Sequence, residues 1–138
     1  MSNDFGCYLS GIMNMVSSVS SNVNPSYIEV ECFDLKNYKQ EFAKYYKIDE
    51  TKIKLKKTNY DLKQMLSTWN IENDLIESIL YWISLKIGKC EAVYEMDKDL
   101  CNLLSWSEGG KSPFYIVDDA YFVEIENYML CFILGNNE

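Results

Sequence analysis

The last quarter of the chain constrains the fold most. Runs 114–117, 121–126 and 128–134 are rich in aromatic and β-branched residues and are broken only at Asp118-Asp119 and Glu126-Asn127. Two-residue breaks leave no room for a crossover helix, so the pattern predicts three strands in an antiparallel meander.

The segments before it alternate between helical and extended periods. Phe5, Tyr8, Leu9, Ile12, Met13, Val16 and Val19 share one helical face, with Ser2 or Asn3 placed to cap it and Asn24-Pro25 to end it. Ile28, Val30 and Cys32 alternate with Glu29 and Glu31, which reads as a short half-buried strand or, alternatively, a helical turn. Asp34 is placed to cap a helix bearing Leu35, Tyr38, Phe42, Tyr45 and Tyr46. Residues 52–57 alternate lysine with Ile53 and Leu55, as an edge strand does when it blunts unwanted pairing. Asn59 and Asn73 stand where they would cap two further helices. The second of these carries Leu75, Ile76, Ile79, Leu80, Trp82, Ile83 and Ile87 and is apolar nearly all round. It is expected to be the central buried helix, with Trp82 in the core and Gly88 as a left-handed C-cap. Ala92-Val93-Tyr94 reads as a strand, Asp97 as the cap of a short helix through Leu104, and 107–113 as a loop. The predicted class is α+β, with N-terminal helices packed on a C-terminal antiparallel β-meander in a single domain over residues 1–138.

Two absences narrow the chemistry. The sequence contains no His and no Arg. The commonest general base and metal ligand is therefore missing, and so is the bidentate fork that reads phosphates and guanine edges. The five cysteines, Cys7, Cys32, Cys90, Cys101 and Cys131, show no C-x-x-C spacing and mostly sit among apolar neighbours. That favours buried free thiols over a disulfide framework or a zinc site, and a reducing, cytoplasmic setting. No basic leader, cleavage signal or membrane-length apolar run is evident in the sequence. Gly109-Gly110-Lys111-Ser112 resembles a phosphate loop, but the required glycine at 105 is Ser105, and the motif precedes a strand instead of following one. No cofactor and no metal is expected.

Charge is distributed unevenly along the chain. Residues 36–63 carry a net charge of +5 and residues 64–138 a net charge of −9, within a total of −8. The lysines of the middle segment interleave with aromatics at core-facing spacing, so they read as a solvated face, with single-stranded nucleic acid as the less favoured alternative. The acidic half offers Glu91, Glu95, Asp97, Asp99, Asp118 and Asp119, accompanied by Trp106 and Tyr121. Carboxylates around aromatic anchors suit the capture of a basic protein surface, with no direct nucleic-acid or membrane contact. The enzyme alternative is a metal-assisted hydrolase using the same carboxylates or the pair Glu124 and Glu126, although no Glu-x-Lys accompanies them.

In size, acidity, lack of histidine and α+β pattern the chain resembles the small bacterial immunity proteins of contact-dependent inhibition and other polymorphic toxin systems. Its closing stretch, residues 121–135, is similar to the strand pairs that end many of them. The resemblance implies a cytoplasmic antitoxin that binds a cognate toxin domain, often a basic nuclease, and blocks it. A phage-type inhibitor that mimics nucleic-acid phosphates is the alternative within the binding class.

Overall fold

The computed structural model describes residues 27–69 and 71–136. The helix expected over Phe5–Val19 lies outside them. The described chain runs β1 (Tyr27–Asp34), α1 (Tyr38–Tyr46), β2 (Leu55–Lys57), α2 (Leu62–Ser67), α3 (Asn73–Lys86), β3 (Cys90–Met96), α4 (Lys98–Leu104), β4 (Ile116–Ile125) and β5 (Tyr128–Asn136). The strands form one five-stranded sheet in the order β1-β5-β4-β3-β2, and every neighbouring pair is antiparallel. The architecture is α+β. Strands and helices interleave, however, which corrects the expected succession of N-terminal helices and then a C-terminal meander.

Helices cover both faces of the sheet, and the apolar residues of its central strands show why. In β4, Phe122 faces one side and Val123 the other; in β5, Leu130 and Phe132 alternate with Cys131 and Ile133, and all are fully buried. A strand buried on both faces must be apolar at every position, because neither parity reaches water. One face packs Ile28, Val30, Val93, Val123 and Phe132 against Met65, Leu66, Ile76, Ile79 and Ile83 of α2 and α3. The other packs Phe33, Phe122, Met129 and Cys131 against Phe42 and Tyr46 of α1 and Leu100 and Leu104 of α4.

Local signals set several boundaries. The Asp97 side chain accepts from Leu100 N at 2.8 Å and starts α4, as its position in the sequence predicts. The lysine-rich strand β2 does stand at the sheet edge. Glu126-Asn127 forms the two-residue turn between β4 and β5, with Glu126 at φ 54°, a left-handed conformation. Gly88 follows α3 with φ 141°, where the Glu126 side chain lies against its Cα and leaves no room for a Cβ.

Other expectations are corrected. The cap of α2 is Asp61, not Asn59. Asp61 and Gln64 form a reciprocal capping box, with Gln64 N donating to Asp61 at 2.8 Å and Asp61 N donating to Gln64 at 2.9 Å. Glu72, not Asn73, occupies the cap position of α3. Asp34 precedes a 3-10 turn and α1 without a side-chain cap bond. The three closing strands are two, because Asp118-Asp119 is a β-bulge inside β4, where the register shifts between Val117 and Asp119. Helix α3 is an outer layer, not the centre. It buries Ile76, Ile79 and Ile83 on the sheet, while Tyr81 is 63 %, Leu85 59 % and Trp82 37 % exposed. Burial on a sheet needs only one stripe of a helix, so apolar residues beyond that stripe face outward.

Candidate functional site

The site is built at one end of the sheet. Leu55 pairs with Met96, Ile116 with Asn136 and Tyr27 with Gly135, which places the start of β2, the finish of β3, the start of β4 and the finish of β5 at that end. Glu95 is opposite Tyr121 in the β3–β4 ladder. Asp97 follows β3 directly as the cap of α4, and Asp99 lies in the first turn of that helix. Asp118 accepts from Asn136 Nδ2 at 3.0 Å. Trp106 comes to the same end because its backbone N–H donates to Phe114 O, while Ser105 Oγ accepts from Val117 N at 2.8 Å. Seven of the eight residues expected to bind a partner are thus gathered. Glu91 is the exception: it lies beside the β3 bulge at the hairpin end of the sheet.

An aromatic floor completes the site, and part of it was not expected. Tyr121 is buried, with Trp69 at 5.8 Å and Tyr60 at 6.4 Å between ring centroids. Trp69 Nε1 donates to Asp119 Oδ2 at 3.0 Å, which holds that carboxylate beside the cluster. Burial first, and then the charges of Asp119 and Glu95, push the Tyr121 phenol well above its usual range, so it stays a neutral hydroxyl. Tyr60 and Trp69 come from the lysine-rich and α2 segments, and nothing in their local spacing separates them from core aromatics. A second aromatic pair lies on the α4 side: Trp106, 66 % exposed, meets Tyr115 edge-on at 5.8 Å.

The lysines are not a separate surface. Antiparallel pairing of β2 with β3 puts Lys56 directly opposite Glu95. A groove of about 520 Å³ next to α4 is lined by Lys52 and Lys54 together with Asp97, Asp99, Leu103 and Glu108. The basic and acidic halves counted along the sequence therefore mix on the β2 side.

Chemistry at other candidate positions is structural. Glu126 occupies a turn instead of sharing a strand face with Glu124, whose carboxylate accepts from Tyr94 at 3.4 Å. Burial raises the Cys32 thiol to about 11 and that of Cys101 to about 12, and pushes Cys131 up as well, so these sulfurs are poor nucleophiles. No group of three or more acidic or cysteine side chains placed to hold a metal ion occurs among the described residues, and no described helix is long and apolar enough to cross a membrane. No family model matches the chain, and neither a curated protein nor a solved structure is significantly similar to it.

Proposed function

We propose that this chain is an immunity protein that acts by binding in the cytoplasm, capturing a basic toxin domain and blocking it. The observation that carries the reading is the convergence of Glu95, Asp97, Asp99, Asp118 and Asp119 with exposed Trp106 at one end of the sheet. An exposed tryptophan beside its own aromatic partner is the side chain most often found at the energetic centre of a protein interface, and surrounding carboxylates steer a basic partner toward it.

The test is surface plasmon resonance against the product of the gene immediately upstream, at low and high salt. Reversing Glu95, Asp99 and Asp118 together to lysine is expected to slow association about tenfold and to flatten its salt dependence. Glu91→Lys, at the opposite end, should leave binding unchanged. If reversing Lys52, Lys54, Lys56 and Lys57 to glutamate abolishes binding while the acidic reversals do nothing, the partner is acidic and the reading falls.

A further inference from the structure

Strand β2 is three residues long, and its ladder with β3 ends where Leu55 stands opposite Met96. Beyond that pair the two chains part. One turns into α4 at its cap Asp97, and the other runs back from Leu55 through Lys54, Ile53 and Lys52. Ile53 is buried while Lys52 and Lys54 are exposed, so both lysines project outward on either side of it. The parting opens the groove of about 520 Å³, with Lys52 and Lys54 on one wall and Asp97, Asp99 and Glu108 on the other. Leu103, 40 % exposed, adds apolar surface to the lining.

Among the described residues, none of these five charges forms an ion pair. Opposite charges held apart across an open gap keep their water, and a ligand carrying both signs meets both walls at once. A ligand of one sign is attracted by one wall and repelled by the other. The groove's volume lies in the usual range of ligand sites. A further hollow of about 250 Å³ continues it past Leu103 and Glu108. The contrast of sign fades there, because Asp49 joins Lys47 on the first side and Lys111 joins Glu108 on the second.

We propose that this groove binds an extended peptide segment of a partner protein in which basic and acidic residues alternate. Successive side chains of an extended chain point to opposite sides, so alternation gives the segment one basic edge and one acidic edge. The basic edge lies along Asp97, Asp99 and Glu108, the acidic edge along Lys52 and Lys54, and the peptide backbone over Leu103. The groove shares Asp97 and Asp99 with the acidic site, but the inference goes beyond toxin capture, because it needs only such a segment, whatever the partner's activity.

The experiment is fluorescence anisotropy at low salt, titrating the full chain into a labelled, end-capped hexapeptide of alternating lysine and glutamate. Saturable binding with a dissociation constant of about 0.1–1 mM is expected. A block peptide, lysines first and glutamates after, has the same composition and zero net charge, and should bind about tenfold more weakly. Inverting one wall, by Lys52→Glu with Lys54→Glu or by Asp99→Lys with Glu108→Lys, should weaken the alternating peptide about tenfold. Inverting both walls together should restore it, because an alternating strand turned over exchanges its edges. Asp97 is kept because it caps α4. No saturation, equal binding of the two peptides, or no rescue by the double inversion overturns the groove. Should a variant fail to fold, the comparison of the two peptides on the wild-type chain decides. A chain that takes the peptide but ignores the upstream gene product keeps the groove and loses the immunity reading; the reverse result keeps that reading and overturns the groove.

Discussion

Phe122→Ala is expected to destabilise the protein by about 3–5 kcal/mol, a large part of the total stability of a domain this size. Phe122 stands in β4, the middle strand of the sheet, and is completely buried. Its ring meets Tyr38 at 5.3 Å and Phe42 at 5.0 Å, and Phe42 continues to Tyr46 at 4.8 Å and Phe33 at 6.0 Å. Truncation opens a cavity beneath α1 that a paired strand cannot close by shifting, because its backbone is held by neighbours on both sides. Urea unfolding followed by circular dichroism measures the loss. A cost below about 1 kcal/mol, well short of the usual range for a buried phenylalanine, would show that α1 does not seal this core. The sequence alone assigns this central role to Trp82, but its place on the outer layer makes Phe122 the more sensitive position.

Gly110→Ala should cost about 3 kcal/mol, for a different reason. A Cβ on Gly110 would stand 2.3 Å from Leu103 O and from the Leu104 carbonyl, and these are backbone atoms that have no rotamer to yield. Relief requires the 107–113 loop to lift away, breaking the bonds from Gly110 N to Ser105 O at 2.8 Å and from Ser112 N to Leu104 O at 3.2 Å. The loop carries Trp106 with it, so partner binding should weaken together with stability. Gly109→Ala is the control. Its φ is 86° and nothing lies within 4 Å of the added carbon, so only left-handed backbone strain of about 1–2 kcal/mol applies. Equal losses from the two variants would mean that close packing at Gly110 is not limiting.

Features with a short-range cause are legible in the residues themselves. Asp97 caps α4 because its carboxylate reaches an N–H three residues away, and Glu126-Asn127 turns the chain because two flanking apolar runs leave nothing else for those residues to do. Asp118-Asp119 looks identical in sequence. Only the pairing of Ile116 and Val117 with β5 shows that the strand continues through it as a bulge. The candidate site is legible in its carboxylates and Trp106, which cluster in sequence, and illegible in Tyr60 and Trp69, which reach Tyr121 from more than fifty residues away.

The sequence by itself determined the strand-rich C-terminal region, the lysine edge, the Asp97 cap and the Glu126-Asn127 turn, because period, capping and turn chemistry act over a few residues. Only the tertiary structure decided that the sheet is covered on both faces, that Lys56 stands opposite Glu95, and that Glu29 and Glu31 turn inward beneath two tyrosines. Charge and polarity are counted along the chain, whereas desolvation and Coulomb energy depend on distance in space. A β-sheet resets those distances by pairing strands far apart in sequence.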